Sequence, residues 1–227
     1  MGKFNSDEIM VAGPFRSCTN LMKYMIDKYT LSKGLYNKWF WKHGFPPTMP
    51  SRKKIIPSRI PIVVMVIDPY IWHSSMYQFW LRRRPELLGN GETLQQFIRK
   101  NICIYDNTRI NHNPQYLFDT PSDYWNKFYF SWLHWPAVSR QVVFVKSSDL
   151  LQRPSSLIAE IVSRFRLEFR HDDSVIHLPK TRKGPAVKPL EDSSVKKLDD
   201  LDVRFIKSRV NPDIEQKLED VCLKLPS

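Results

Sequence analysis

The sequence predicts an α/β protein, a three-layer sandwich of helices around a central, mostly parallel sheet. Short apolar runs suit buried strands, and amphipathic patterns of helical period separate these runs along the chain. The strand candidates are Glu8–Ala12, residues 61–67 and residues 141–146. In folds of this class, ligands bind beyond the carboxyl ends of the strands. Functional residues are therefore expected in the loops that follow these runs.

The N-terminal half begins with a strand, a loop and a helix. Apolar side chains recur at helical spacing, with lysines between them, over residues 21–29. Prolines and basic residues make residues 45–60 a long loop. After the strand at 61–67, Asp68 and Pro69 favour the start of a helix, because proline is pre-organised for the first helical position. The helical pattern then continues through Trp72, Met76, Phe79 and Trp80.

The middle of the chain has weaker signals. Residues 85–113 predict a short helix within residues 91–98, followed by irregular chain. Thr120 and Asp123 form a capping-box pattern, which predicts a helix over the aromatic run at 124–132. The helical spacing of these rings favours packing in the core over ligand stacking.

The C-terminal half predicts two amphipathic helices. The first covers Pro154–Phe165, with a core face of Leu157, Ile158, Ile161, Val162 and Phe165. The second starts at Asn211 and Pro212 and is expected to bury Ile214, Leu218 and Val221. With 227 residues, of which 42% are hydrophobic and 13% aromatic, the chain is expected to form one domain, residues 1–227.

The formal net charge of +12 indicates an anionic partner, either nucleic acid, a membrane surface or a small polyanion such as a nucleotide. No nucleic-acid-binding motif accompanies the charge, so a nucleic-acid partner is not expected. The apolar runs are too short to span a bilayer and no signal peptide is recognisable, which predicts a soluble, cytoplasmic protein. Cys18, Cys103 and Cys222 are widely spaced, which favours free thiols over a disulfide or a zinc site.

The loop after the first strand, residues 11–20, has the sequence VAGPFRSCTN. It lacks the Gly-Lys-Ser/Thr of a Walker A motif, which disfavours ordinary ATP or GTP hydrolysis. It nevertheless offers an arginine at 16, hydroxyls at 17 and 19, and the free N–H groups of a helix N-terminus, all of which suit an anion. A simple helix cap with an exposed arginine remains the alternative.

Several segments together resemble the sulfotransferases that use 3′-phosphoadenosine-5′-phosphosulfate (PAPS). Residues 16–20, Arg-Ser-Cys-Thr-Asn, resemble the loop that holds the 5′-phosphosulfate in that family. Residues 67–77, IDPYIWHSSMY, resemble the segment that binds the 3′-phosphate, with Ser75 at the position of the binding serine. Residues 145–151 resemble a later strand end, and residues 182–184 the C-terminal Arg-Lys-Gly.

The resemblance implies a P-loop-like strand-loop-helix that binds phosphosulfate, and PAPS as co-substrate without a metal. The activity it implies is transfer of a sulfuryl group to a hydroxyl or amine of a small molecule, glycan or lipid. The cofactor-binding residues it implies are Arg16, Ser17, Cys18, Thr19, Asn20, Ser75, Arg182, Lys183 and Gly184.

The resemblance also implies a histidine base shortly before the second strand. His43 is the candidate, and Lys42 is a possible stabiliser of the bridging oxygen. In the family the lysine often lies two residues before the histidine, whereas here the two are adjacent. The alternative is that His43 only caps a turn.

Two departures from the family pattern leave other functions open. Ile67 stands where the family has the arginine of the 3′-phosphate site, and Cys18 stands where it has a glycine. An inactive, nucleotide-binding relative is therefore an alternative, as is a P-loop-type kinase of small molecules. Two other assignments stay open. His73 either packs inside the protein or reaches the 3′-phosphate. The aromatic rings of residues 39–41 belong either to the core or to the acceptor pocket.

Overall fold

A sheet of four parallel strands forms the centre of the protein. The computed structural model describes residues 7–46, 60–105, 115–135, 141–170, 176–179 and 198–225. The strands are β1 (Glu8–Ala12), β2 (Lys33–Leu35), β3 (Ile62–Val66), β4 (Ile102–Tyr105), β5 (Gln115–Phe118) and β6 (Val142–Lys146). The sheet order is β2-β1-β3-β6, and β4 pairs with β5 in a separate antiparallel hairpin. The predicted α/β class with a mostly parallel central sheet is confirmed.

Helices pack on both faces of the sheet. They are α1 (Thr19–Tyr29), α2 (Pro69–Arg83), α3 (Leu94–Phe97), α4 (Pro121–Leu133), α5 (Ser147–Gln152), α6 (Pro154–Phe165), α7 (Asp200–Arg209) and α8 (Pro212–Val221), with a short 3₁₀ turn at Pro85–Leu87. The side chains of each strand alternate between two hydrophobic clusters. Met10 and Val64 pack with α2, α4 and α8, whereas Val11 and Met65 pack with α1 and α6. Burial on both faces explains why the strands are continuous apolar runs.

The predicted helix starts are present. The Asp68 side-chain Oδ1 accepts hydrogen bonds from the backbone N–H groups of Tyr70 (2.9 Å) and Ile71 (3.0 Å) at the start of α2. At the start of α4, the Asp123 carboxylate accepts from the Thr120 backbone N–H (2.9 Å) and hydroxyl (2.8 Å). These bonds satisfy N–H groups that have no partner within their helix.

Three elements were not predicted. The β4–β5 hairpin lies partly in residues that the sequence predicts to be irregular. In β5 the apolar Leu117 is 73% exposed, so this strand lacks the alternation of apolar and polar residues that identifies a half-buried strand. Strand β2 has three residues and depends on its pairing with β1. Helix α7 buries few apolar side chains and gives a weak amphipathic signal.

Two further details differ from the sequence prediction. Residues 147–152 form α5, directly after the strand end that residues 145–151 were expected to provide. The prediction that Val221 belongs to the core face of the last helix is wrong. Its side chain is 48% exposed, because Ile214 and Leu218 alone face the core from α8.

Most aromatic side chains of residues 124–132 pack in the core, as predicted. Two of them also form hydrogen bonds with backbone groups of β3 and the residue that follows it. Trp125 Nε1 donates to the Ile67 carbonyl (3.1 Å), and the Tyr129 hydroxyl donates to the Met65 carbonyl (3.1 Å) and accepts from the Ile67 N–H (3.0 Å). The backbone at the carboxyl end of β3 is therefore held by α4.

The remaining sequence predictions concern cysteines and membrane spans. Cys18, Cys103 and Cys222 are free thiols. None of the helices within the described ranges combines the length and apolar character that crossing a bilayer requires.

The turn after β1 requires a glycine at position 13. A Cβ there would lie 2.2 Å from Ser17 Oγ and 2.9 Å from both Met65 Cβ and Thr19 Cγ2. We predict that Gly13→Ala lowers the free energy of unfolding by about 1–3 kcal/mol, measured by urea denaturation. Gly89→Ala is the control, because a Cβ at Gly89 meets nothing closer than 3.4 Å. Equal effects of the two substitutions would contradict the steric explanation.

Candidate functional site

The loops at the carboxyl edge of the sheet pack against each other through Gly13. Its N–H donates to the Lys42 carbonyl (2.9 Å), and its carbonyl accepts from Nδ1 of His43 (2.7 Å). The segment after β1 and the segment after β2 thus share two hydrogen bonds. The predicted phosphate loop and the predicted base are in contact.

The loop between β1 and α1 contains two residues in the left-handed region. Arg16 has φ 66° and Cys18 has φ 64°. For residues other than glycine this conformation costs roughly 1–2 kcal/mol each. Cys18 is also the residue that precedes α1, and no side chain caps the helix there. The left-handed backbone explains why a glycine would suit position 18.

Three predicted loop residues lie largely inside the protein. The Ser17 hydroxyl donates to the Pro14 carbonyl (2.7 Å), and the Ser17 carbonyl accepts from the Ser147 hydroxyl (3.0 Å). Thr19 is 4% exposed. Burial raises the pKa of the Cys18 thiol, which keeps it neutral. These side chains pack within the loop, and no side chain caps the first N–H groups of α1.

Arg16 reaches from the loop to α2. Its Nε donates to the Ser75 hydroxyl over 3.2 Å, which joins residues 59 positions apart in the sequence. Its guanidinium also lies 5.5 Å from the centre of the Phe79 ring. Arg16 forms no ion pair with any residue in the described ranges. The two segments that suggested phosphate binding therefore meet at one point.

Lys42 contacts the first turn of α1. Its Nζ donates to Asn20 Oδ1 (2.6 Å) and lies 4.1 Å from the Tyr36 ring centre. Burial lowers the pKa of Lys42. Neither contact neutralises the charge, so Lys42 presents a cation next to the first turn of the helix.

His43 is half-buried among aromatic rings. Its ring stacks on Phe15 with centroids 4.2 Å apart and meets Trp41 edge-on at 5.7 Å. Burial, reinforced by the adjacent Lys42 charge, lowers the pKa of His43 to about 3. Since Nδ1 lies 2.7 Å from a carbonyl oxygen, it carries the proton of the neutral ring. Nε2 then has a free lone pair, as a general base requires.

A cavity of about 260 Å³ opens next to His43. Lys42 and Arg84 are the cations of its lining. The rest of the lining is mainly apolar and aromatic and includes Phe15, Trp41, Phe79, Trp80, Leu87 and Tyr105. A second cavity of about 240 Å³ lies at the ends of β3 and β6 and is lined by Asp68, Glu215 and Glu219 with one lysine. Of these two cavities in the described part of the chain, the first suits an anionic ligand better, because Lys42 lines it and no carboxylate does.

The other predicted residues have different outcomes. His73 is fully buried, with Nδ1 2.6 Å from the Pro69 carbonyl and Nε2 3.0 Å from the Ser122 hydroxyl, so it is a packed residue. Phe40 and Trp41 belong to the core, and Trp41 also lines the cavity. Arg182, Lys183 and Gly184 lie outside the described residues.

Sequence reasoning missed the residues that hold the loop backbone. The Tyr124 hydroxyl donates to the His43 carbonyl (2.8 Å), Trp132 Nε1 to the Gly44 carbonyl (3.2 Å) and Trp72 Nε1 to the Phe15 carbonyl (2.7 Å). The signal was available, because tyrosine and tryptophan in a buried helix need partners for their polar atoms. Which carbonyls they bind depends on the tertiary structure.

We predict that His43 remains neutral, with the proton on Nδ1, at pH 5. Because the folded pKa lies below the ordinary value of 6.5, the unfolded chain binds the proton first as the pH falls. The stability that His43 contributes is thus complete above pH 6.5 and is lost as the pH falls towards 3. Nitrogen NMR of the imidazole, assigned by comparison with His43→Gln, measures this. Protonation near pH 6.5 would contradict the burial described above.

We predict that Tyr124 positions His43. Tyr124→Phe removes the donor to the His43 carbonyl and should lower the unfolding free energy by about 1–2 kcal/mol, while also shifting the His43 ring resonances and pKa. Tyr77→Phe is the matched control, since its hydroxyl donates to the Glu92 carbonyl (2.7 Å) instead. The control should lose similar stability without altering His43, and identical NMR effects in both variants would contradict the positioning role.

Comparison with known proteins yields no family: no family model, no curated protein and no solved structure matches the chain.

Proposed function

We propose that this protein is a sulfotransferase that uses PAPS and transfers its sulfuryl group to a hydroxyl or amine acceptor. The observation that carries the proposal is the 3.2 Å contact between Arg16 Nε and Ser75 Oγ. These residues come from the two segments whose sequences resemble the phosphosulfate loop and the 3′-phosphate segment of that family. The contact supports a single site that serves both phosphate groups of one nucleotide.

The donor set suits an anionic nucleotide. Arg16 comes two residues before the N-cap of α1 and Lys42 contacts the first turn, and neither is neutralised by a carboxylate in the described ranges. The N–H groups of that turn have no side-chain cap. Positive charges and free N–H groups together favour phosphate or sulfate oxygens. In this P-loop-like arrangement, Ser17, Cys18 and Thr19 shape the backbone, and Asn20 orients Lys42.

The proposed reaction needs a base next to the acceptor and a cation next to the leaving group. PAPS supplies the activated sulfuryl group. His43 Nε2 takes the proton of the acceptor hydroxyl or amine as the acceptor atom bonds to sulfur. The bond between sulfur and the bridging oxygen breaks, and its electron pair stays on the 5′-phosphate of the leaving nucleotide. Lys42 offsets the charge that develops there.

The low pKa of His43 in the free protein is compatible with this role because a bound anion is expected to raise it. In the free protein, burial is the main cause that disfavours the imidazolium, and the positive charge of Lys42 is the second. A nucleotide bound by Arg16 and Lys42 brings negative charge close to the ring, which favours the protonated form. The pKa of His43 is therefore expected to rise when the nucleotide binds, which makes the ring a stronger base in the complex than in the free protein.

A thermal-shift experiment tests the nucleotide specificity. Adenosine 3′,5′-bisphosphate should stabilise the protein by about 2.7 kcal/mol at 100 times its dissociation constant, and Arg16→Ala should abolish the effect. Stronger stabilisation by ATP with magnesium than by the bisphosphate would contradict the proposal and support a small-molecule kinase. Failure of every adenosine nucleotide to bind would also reject it.

A transfer assay tests the base. With radiolabelled PAPS and a mixture of phenolic, glycan and lipid acceptors, His43→Gln should reduce transfer by about 10²–10⁴-fold. Binding of the bisphosphate should remain within about twofold, because His43 does not contact the phosphate groups in this proposal. Binding without transfer by the unmodified chain would indicate a nucleotide-binding protein without this activity.

A further inference from the structure

We infer that the acceptor is a small aromatic alcohol, a phenol of one or two rings, and that it binds in the cavity of about 260 Å³ next to His43. The proposed function leaves the acceptor open between small molecules, glycans and lipids, and between a hydroxyl and an amine. The inference rests on that function and deepens it, because the size, lining and charge of the cavity favour one of these classes.

Separate parts of the chain form the walls of this cavity. The segment after β2 supplies Trp41 and His43, helix α2 supplies Phe79 and Trp80, and β4 supplies Tyr105. The Trp41 and Trp80 side chains also belong to the hydrophobic core, which holds their rings in place. The cavity is therefore formed by the fold before a ligand enters it.

The wall on the β4–β5 hairpin is fastened to the end of α2. Arg84 Nη2 donates to the Tyr105 hydroxyl (2.5 Å), and Arg84 Nε donates to the Glu86 carboxylate. Arg84 is the C-cap residue of α2 and lies 21 positions from Tyr105 in the sequence. This bond makes the Tyr105 ring part of the cavity although the hairpin does not belong to the central sheet.

The size and lining of the cavity suit one or two aromatic rings. Its volume lies below the range of about 300–1,000 Å³ that is usual for drug-sized ligands, which disfavours an oligosaccharide or a whole acyl chain. A sugar would also lose water from hydroxyl groups that face apolar rings, without gaining a partner for each of them. A flat aromatic ligand meets ring faces and edges instead, and such ring pairs stabilise beyond the apolar area that they bury.

The charge of the cavity favours a hydroxyl over an amine. Lys42 and Arg84 line it, and its lining within the described residues includes no carboxylate. Glu86 offsets the charge of Arg84, but Lys42 has no ion pair in the described ranges. An aliphatic amine is an ammonium at neutral pH, so it would meet like charge here. A hydroxyl is neutral, and a nearby cation stabilises the negative charge that develops on its oxygen as the proton leaves.

The base favours an acidic hydroxyl. Since Nδ1 of His43 carries the proton next to the Gly13 carbonyl (2.7 Å), the lone pair of the neutral ring is on Nε2. An imidazole with a pKa of about 3 in the free protein is a weak base, and it takes a proton more readily from a phenol than from an aliphatic alcohol. The phenol oxygen bonds to sulfur as its proton moves to Nε2. The bond between sulfur and the bridging oxygen breaks, and its electron pair stays on the leaving nucleotide.

Calorimetric titration of the full chain at neutral pH with three probes of one fused-ring skeleton tests the inference. The probes are naphthol, its saturated analogue decahydronaphthol, and naphthylmethylamine, which is an ammonium at this pH. We expect naphthol to bind at least about tenfold more tightly than either of the others, because only naphthol combines an aromatic skeleton with a neutral hydroxyl. In the transfer assay with PAPS, naphthol should likewise react at least about tenfold faster than decahydronaphthol.

Two pairs of variants locate the binding site. Leu87→Trp puts a larger ring into the lining and should weaken naphthol at least about tenfold. Leu88→Trp is its matched control, because Leu88 is also half-buried but is not one of the residues that line the cavity. Tyr105→Leu should reduce the preference for naphthol over decahydronaphthol, whereas Tyr105→Phe keeps the ring and should preserve it. Binding of adenosine 3′,5′-bisphosphate by each variant checks that its fold is intact.

The outcomes separate the inference from the proposed function. If the bisphosphate binds but naphthol binds no more tightly than the other two probes, the inference is wrong and the proposed function survives. Equal losses in Leu87→Trp and Leu88→Trp, together with equal preferences in Tyr105→Leu and Tyr105→Phe, would also overturn it. If naphthol is preferred and the bisphosphate does not bind, the proposed function fails, and with it the role of the phenol as acceptor. Preference for naphthol that Leu87→Trp removes, with the bisphosphate still bound, supports both.

Discussion

The arrangement of this protein depends on hydrogen bonds from buried aromatic side chains to the irregular backbone at the carboxyl edge of the sheet. Loops in this position carry carbonyl groups that lose water on folding, and an unpaired buried carbonyl costs about 1–3 kcal/mol. Tyr124, Trp132 and Trp72 supply donors to the carbonyls of His43, Gly44 and Phe15. The same helices that fill the core therefore also fix the loops.

This arrangement gives the candidate site its electrostatic character. Packing against aromatic rings and the adjacent Lys42 charge keep the His43 ring neutral, while the more exposed Arg16 keeps its charge. Lys42 lies between these environments, held by Asn20 and stacked near Tyr36. Within the described residues, one edge of the sheet thus combines a neutral imidazole, cations without a carboxylate partner and uncapped helix N–H groups. A multiply charged anion with an acceptor next to it is the ligand that this combination favours.

The two departures from the sulfotransferase pattern have physical explanations. Cys18 adopts the left-handed conformation that a glycine adopts without strain, so a cysteine at this position costs backbone energy that a glycine would not. Ile67 contributes to the core, and both of its backbone groups are bound by α4. Ile67 places no charge in the core, and Arg16 donates to the Ser75 hydroxyl from the loop after β1.

The sequence by itself determined the fold class, the main strands and the helix starts, because burial on both faces and capping chemistry are local properties of the chain. It also indicated Arg16, Ser75, Lys42 and His43 as candidate site residues. It missed the β4–β5 hairpin and strand β2, since short strands depend on pairing with residues distant in sequence. Only the tertiary structure decided that Ser17 points inward, that Arg16 meets Ser75 and that His43 is neutral. Each of these outcomes depends on groups from separate segments coming into contact, and neither hydrophobic period nor residue spacing encodes such a contact.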